Sequence, residues 1–180
     1  MDQLQREALL VHLAKRLRDA GSWCGETQLQ KTAYFLQDLT GVPLGYDFML
    51  YKHGPFEFEL RGEIRELIGY EMLAVETQPP PYGPRLRPTK AGNNLICTYR
   101  EAIEEHSTAV EFVVEVLGNS GAASLEKLGT ALWYTVRGNG ETREQKAQKI
   151  HDRKPHITVE DAMEAITEVE QLLDRWQTAA

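Results

Sequence analysis

Helical periodicity runs through both ends of this chain and is interrupted only near the middle. Apolar residues recur every three or four positions in segments that end at glycine or proline, which is the pattern of amphipathic helices. A chain with this pattern must bury one face of each helix against its neighbours, so the expected fold is mainly helical. Helices are predicted over residues 5–20, 27–39, 55–69, 90–117, 124–137, 141–152 and 159–177.

A strand is predicted in the middle, where the helical spacing fails. Residues 46–52 are rich in aromatic and β-forming side chains, and Gly54-Pro55 follows them directly. Proline suits the first position of a helix, because its missing N–H would have no partner there. We therefore expect the strand to turn into the helix over 55–69 within two residues.

A β-hairpin is predicted after that helix. Residues 72–75 and 85–88 form its strands, and the tip between them, residues 79–84, is rich in proline. Pro84 and Pro88 lack a backbone donor, which places the second strand at an edge. The predicted fold class is thus mainly α (α+β), with a small β-hairpin.

The order of these elements predicts two parts. Helix, helix, strand, helix and hairpin resemble a winged helix, although a standard winged helix-turn-helix has a strand before its second helix. We predict a winged-helix-like part over residues 1–91 and a helical part over residues 92–180, packed together as one compact unit.

Two of the predicted helices carry a continuous apolar seam. Three of the predicted helices are expected to begin with a side-chain cap. Thr27 with Gln30 opens the second helix, Thr89 the fourth and Thr158 the last. Seams of this kind pack against helices of the same chain or of a second copy, so a homodimer is an alternative expectation. The fourth helix's seam contains Ile96, Tyr99, Ile103, His106, Val110, Val113 and Leu117, and the last helix's contains Ala162, Ile166, Val169, Leu173 and Trp176.

Composition limits the protein's surroundings and partners. The formal net charge is −7 and the isoelectric point about 5.3, which opposes non-specific attraction to nucleic-acid phosphates. The two cysteines, Cys24 and Cys97, belong to no motif, so reduced thiols and a cytoplasmic location are expected. No apolar run approaches the ~20 residues that span a bilayer, and the N-terminus has no signal-peptide pattern, so no membrane association is predicted.

Sequence patterns typical of catalysis and cofactor binding are missing. None of the five histidines pairs with another at the spacing of metal ligands on a helix. No phosphate-binding loop, nucleophile elbow or dinucleotide fingerprint occurs, and no base accompanies Cys24 in the sequence. We therefore predict a non-enzymatic protein with no catalytic, metal-binding or cofactor-binding residue and no cofactor. An uncharacterised hydrolase or nuclease remains an alternative, which converging titratable groups in a deep pocket would favour.

The corner between the aromatic strand and the next helix is the most distinctive local sequence. Polar tips on apolar bodies are typical of residues that anchor protein interfaces. The alternative is that these aromatic side chains are core and that His53 only holds the turn. The residues predicted to bind a protein partner are Lys31, Tyr34, Tyr51, His53 and Phe56.

DNA binding by a winged-helix transcription regulator is the alternative function. Its contacts would come from Arg85, Arg87 and Lys90 on the hairpin. The helix over 55–69, at the recognition position, carries more glutamates than arginines and would be repelled from the major groove. Nucleic acid is therefore the less favoured partner.

The same corner resembles a family of small prokaryotic and phage-associated proteins. Leu29-Gln30-Lys31, the aromatic strand up to Tyr51 and the turn His53-Gly54-Pro55-Phe56 resemble the YwgA-like uncharacterised proteins. More distantly they resemble the Panacea antitoxin domain, which is related to the SocA-type proteolytic adaptor. Leu125-Glu126-Lys127-Leu128 and Lys154-Pro155 also look like the YwgA-like group.

That resemblance implies a function in binding. Panacea members are implied to neutralise toxins by direct contact, and SocA-like members to deliver a toxin to a protease. The expected function is therefore a non-catalytic protein-interaction module, antitoxin-like or phage-related and regulatory, whose partner is a toxin or a protease component.

Overall fold

A computed structural model describes residues 1–80 and 82–179 and contains helices with two small antiparallel hairpins, which confirms the predicted fold class. The helices are α1 (Gln3–Asp19), α2 (Glu26–Asp38), α3 (Phe58–Gly69), α4 (Lys90–Thr98), α5 (Arg100–Glu104), α6 (Ser107–Leu117), α7 (Ala122–Arg137), α8 (Arg143–Arg153) and α9 (Val159–Ala179). The strands are β1 (Met49–Tyr51), β2 (Gly54–Phe56), β3 (Leu73–Glu76) and β4 (Arg85–Pro88).

Helix α2 lies at the centre of the molecule. Every residue from Gln28 to Leu36 is buried, because α2 packs against α1, α3, α6, α7 and β2. Its N-cap is Gly25 without a side-chain hydrogen bond, so the predicted capping box is wrong. Gln30 is used elsewhere: its amide nitrogen donates to the Glu57 carbonyl at 2.9 Å, and its Oε1 accepts from the Glu57 N–H at 3.2 Å. Those two bonds join α2 to the start of α3.

The segment after β1 is a second strand and not the start of a helix. Strands β1 and β2 form a hairpin in which Tyr51 lies opposite Gly54 and Leu50 opposite Pro55, with a two-residue turn between them. The prediction that Pro55 begins a helix is therefore wrong. Gly54 has a φ of +86°, a conformation that suits glycine and starts the returning strand. Helix α3 begins three residues after Pro55, where the Glu57 side chain accepts from the Glu59 N–H at 2.8 Å.

The second hairpin agrees with the prediction. Strands β3 and β4 pair in antiparallel register from Leu73 opposite Pro88 to Glu76 opposite Arg85. One residue of the predicted proline-rich tip, Pro81, lies outside the described residues. The Leu86 N–H donates to the Cys24 carbonyl at 2.8 Å, which ties β4 to the segment before α2.

The predicted long helix over 90–117 is three helices. Tyr99 and His106 leave the helical conformation and separate α4, α5 and α6, so the prediction of one continuous seam is wrong. The breaks turn the chain so that Ile103, Val110 and Val113 are buried in the core. The cap that begins α4 is confirmed, because the Thr89 hydroxyl accepts from the Gly92 N–H at 3.1 Å.

A single cluster of buried apolar residues extends from Ala8 in α1 to Leu172 in α9. It is continuous past residue 91, and the division there into two parts stays a prediction. The predicted seam of α9 is buried at Ala162, Ile166 and Val169. Helix α7 packs against α9, α2 and β2, and so connects the last helices to the first hairpin. None of the helices described here is long and apolar enough to cross a membrane.

Candidate functional site

The five residues predicted to bind a partner divide by depth. Tyr51 and His53 are exposed at the end of the first hairpin, and Phe56 is half-buried. Lys31 and Tyr34 are buried in α2, so the expectation that Lys31 displays its polar end at the surface is wrong, and Tyr34 takes the core position that was the alternative. Their place on the central helix is the reason, since that helix is covered on every side by neighbouring elements.

Lys31, on the central helix α2, donates a hydrogen bond to the first hairpin. Its Nζ donates to the Pro55 carbonyl at 2.5 Å, and only 2% of the residue is exposed. Burial first, and then the nearby charge of Lys154, lower the pKa of Lys31 to about 8, although Glu126 acts in the opposite direction. The Lys31 ammonium is thus a buried charge that is hydrogen-bonded to a backbone carbonyl of the hairpin.

Tyr34 belongs to a different cluster, on the α7 side of α2. Its ring packs edge-on against Phe48, and its hydroxyl accepts from Arg137 Nη1 at 3.3 Å. Burial raises the pKa of Tyr34 above its usual value, and the carboxylate of Asp38 adds to the rise. The side chain is a core residue with a satisfied polar tip.

A second buried lysine, Lys154, holds the tip of the same hairpin. Its Nζ donates to the Tyr51 carbonyl at 3.1 Å, to the Lys52 carbonyl, and to Glu126 Oε1 at 2.7 Å. All three N–H donors of the ammonium are therefore used. The residue is 4% exposed and lies where α8 ends. Lys154 was not predicted as a site residue, and Lys154-Pro155 entered only through the resemblance to the YwgA-like proteins.

Glu126 of α7 connects this lysine to two histidines. Its Oε2 lies 3.4 Å from His53 Nδ1, and its Oε1 lies 3.3 Å from His156 Nε2. Burial alone would raise the pKa of Glu126, but the hydrogen bond and charge of Lys154, with contributions from both histidines, hold that pKa below its usual value. The carboxylate is thus ionised and central to a polar cluster around the hairpin turn.

Close backbone contact brings the hairpin onto α7. A Cβ added at Gly54 would lie 3.3 Å from the Glu126 carbonyl oxygen, and one added at Gly129 would lie 3.1 Å from Pro55 Cδ. Both positions therefore suit glycine, and the hairpin is fixed on the helix by contact as well as by its polar bonds.

Aromatic rings cover the outer face of the hairpin and the start of α3. The rings of Tyr51, Phe56 and Phe58 have centroids 5.0 to 5.8 Å apart. Phe58 is 50% exposed and Tyr51 53%, while Met49, on the same face of β1 as Tyr51, is 46% exposed. We call these four residues the aromatic surface.

Phe58 and Met49 were not predicted as site residues. The sequence offered one signal for Phe58: it lies close to the start of a helix, where residues have few neighbours and are often exposed. The prediction that the helix begins at Pro55 hid this signal, because it placed Phe58 one turn inside the helix.

Two cavities flank the turn, and Tyr51 and His53 border both. The larger has a volume of about 670 Å³ and lies between the turn and the segment after α8. The smaller, of about 210 Å³, lies towards α2 and α3 and has Lys31 among its lining residues. The larger is lined by Tyr51, Lys52, His53, Glu126, Arg153, Lys154, Pro155 and His156.

The residues predicted for the nucleic-acid alternative lie at the second hairpin. Arg85 Nε donates to the Trp23 carbonyl at 3.1 Å, and its guanidinium lies 5.0 Å from the centroid of the Trp23 ring. Arg87 pairs with Glu76 at 3.0 Å, and Lys90 is exposed at the start of α4. Two of the three predicted contacts therefore already have partners within the protein.

The described residues include no group of three His, Cys, Asp or Glu side chains placed to hold a metal ion. Burial raises the pKa of the Cys24 thiol to about 12, although Arg18 and Arg85 act in the opposite direction. A thiol in that state is a poor nucleophile at neutral pH.

The chain was compared with models of protein families and with curated proteins, and neither comparison found a match.

Proposed function

We propose that this protein is a non-catalytic interaction module that binds a protein partner through the aromatic surface. One observation carries the proposal: three ring side chains in mutual contact, two of them half exposed, on the hairpin and α3. Contiguous exposed aromatic area is unusual on a protein that has no partner, and aromatic residues are enriched at the energetic centres of interfaces.

The support beneath this surface favours a binding function. Lys31 and Lys154 hold the hairpin carbonyls from two sides, and the Gly54 contact with α7 leaves little freedom. A surface that is ordered before binding loses less conformational entropy when the partner arrives. A short hairpin held in this way is therefore a preorganised binding element.

Lys154 and Glu126, the polar pair packed under the hairpin turn, have partners already, which supports a non-catalytic reading. The ammonium of Lys154 donates to two carbonyls and a carboxylate, and Glu126 accepts from that same ammonium. A general acid or base must be free to exchange a proton with a substrate. The resemblance to antitoxin-like proteins makes a toxin or a protease component the first class of partner to test.

The test compares variants of exposed aromatic residues inside and outside the aromatic surface. Tyr51→Ala and Phe58→Ala remove rings of the aromatic surface, while Tyr70→Ala removes a ring that is 69% exposed at the far end of α3. A partner captured by the wild type from host lysate is purified, and its Kd for each variant is measured beside the variant's Tm. We expect both surface variants to weaken binding at least about tenfold with an unchanged Tm.

Two results would overturn the proposal. In the first, Tyr70→Ala weakens binding as much as the surface variants do. In the second, the loss of binding follows a matching fall in Tm, which returns Tyr51 and Phe58 to a purely structural role.

A further inference from the structure

The larger cavity beside the hairpin turn is contiguous with the aromatic surface. Tyr51 borders both, and Pro155 adds apolar surface to the lining of the cavity. A volume of about 670 Å³ is in the range of sites that accept a ligand. A partner chain lying across Tyr51 would therefore pass the mouth of this cavity.

The cavity carries positive charge in a protein whose net charge is −7. Lys52 and Arg153 are exposed at its edge, and among the described residues neither has a carboxylate within 4.0 Å. His53 and His156 line the same space and are mostly exposed. These basic groups surround one carboxylate, that of Glu126.

The negative charge of Glu126 is balanced by the buried ammonium of Lys154. Glu126 Oε1 accepts from the Lys154 ammonium at 2.7 Å, and both residues line the cavity. Because these two charges cancel, the exposed positive charge of the cavity comes from Lys52 and Arg153. A site of this kind favours an anion.

We infer that the cavity accepts a carboxylate side chain, Asp or Glu, from a peptide segment of the partner, next to an apolar side chain that covers Tyr51 and Phe58. This inference rests on the proposed function and specifies the chemistry of the partner. Charges at the edge of an interface mainly determine which partner is selected and how fast it associates. The aromatic surface supplies area, and the cavity supplies selectivity for acidic segments.

The test uses two synthetic fluorescent peptides of eight residues. One alternates glutamate with leucine, and the other has glutamine at each glutamate position. Binding is measured by anisotropy at low salt. The wild type should bind the glutamate peptide about tenfold more tightly than the glutamine peptide, and the difference should shrink as salt is added.

Matched double variants separate the cavity from the overall charge. Lys52→Gln with Arg153→Gln removes the two exposed cations of the cavity. Lys15→Gln with Lys90→Gln removes two exposed lysines elsewhere and changes the net charge by the same amount. The first double variant should lose most of the preference for glutamate, and the second should keep it. Equal loss in both, equal binding of the two peptides, or no binding of the glutamate peptide at about 1 mM overturns the inference.

The purified partner separates this inference from the proposed function. If Phe58→Ala weakens partner binding and the cavity double variant does not, the cavity inference fails and the proposed function stands. If the cavity double variant weakens partner binding and Phe58→Ala does not, the selectivity of the cavity for a carboxylate stands, and binding through the aromatic surface is wrong.

Discussion

The two hairpins of this protein are anchored by the same chemistry in different surroundings. In the β1–β2 hairpin, Lys31 and Lys154 donate to backbone carbonyls while 2% and 4% exposed. In the β3–β4 hairpin, Arg85 donates to the Trp23 carbonyl from a half-buried position, and Arg87 of β4 pairs with Glu76 of β3 at the surface, within the hairpin itself. The first hairpin turns within two residues, whereas the second has a long proline-rich tip.

The difference teaches that burial, more than the number of bonds, determines what each anchor contributes. A solvent-exposed ion pair contributes about 0–1 kcal/mol, because water replaces either partner at little cost. Removing one partner of a buried pair costs about 3–5 kcal/mol, because the other charge stays buried without compensation. The first hairpin should therefore depend on its lysines far more than the second depends on its arginines.

The largest effect is expected from Lys154→Met. The change leaves Glu126 without its ammonium partner and two hairpin carbonyls without a donor, so we expect the free energy of unfolding to fall by about 3 kcal/mol. Arg87→Gln, which breaks the exposed pair with Glu76, should lower it by no more than about 1 kcal/mol. Urea denaturation of both variants measures the contrast. Similar losses for the two would show that the hairpins do not differ in this way.

Lys31 should give the next largest effect, as a dependence on pH. Its pKa of about 8 in the folded protein lies below the ordinary value of 10.5, so the unfolded chain binds the proton more tightly. Below pH 8 both states are protonated and the folded protein bears the full cost of a buried charge. Between pH 8 and 10.5 the folded state has lost its proton and the unfolded state has not, so stability rises with pH.

The comparison of wild type with Lys31→Met isolates this effect from other titrating groups. Denaturation of both proteins between pH 7 and 11 gives the difference in the free energy of unfolding. That difference should shift in favour of the wild type by up to about 3 kcal/mol as the pH rises from 8 to 10.5. A difference that stays constant over this range would mean that Lys31 titrates at its ordinary pH despite its burial.

A smaller effect on the free energy of unfolding is expected when a glycine of each hairpin is replaced by alanine. Gly54→Ala places a side chain at a φ of +86° and a Cβ 3.3 Å from the Glu126 carbonyl oxygen, so a loss of about 1–3 kcal/mol is expected. Gly83→Ala lies in the tip of the second hairpin, where an added Cβ meets nothing within 4 Å. Its effect should stay within about 0.5 kcal/mol. Thermal melts of the two variants compare them directly, and equal Tm values would contradict the tight packing at Gly54.

The sequence predicted those parts of the fold that depend on residues close to one another along the chain. The β3–β4 hairpin was predicted at its observed position because short apolar segments, prolines and Thr89 act within a few residues of one another. The breaks at Tyr99 and His106 were missed because each is a non-glycine residue inside an otherwise continuous apolar spacing. The conformation there follows from how α4, α5 and α6 pack against α1, which periodicity does not report.

The candidate site was predicted in part, and the error has a clear cause. The exposed positions of Tyr51 and His53 were expected from the corner between the aromatic strand and the predicted helix, whereas Lys31 was expected to display its polar end to a partner and is buried. Its partner at Pro55 lies 24 residues away, and the contact of Lys154 with Tyr51 spans 103 residues. Contacts of that span cannot be read from a single sequence.

That span of 103 residues gives the first hairpin a place in the order of folding. Closing so large a loop carries an entropic cost that a local turn does not have, and contacts between distant residues form late and slowly. A nascent chain that has emerged only through α7 contains every residue of the aromatic surface but not the lysine that fixes its tip. We therefore expect the hairpin tip to become fully ordered only after residue 154 has been synthesised.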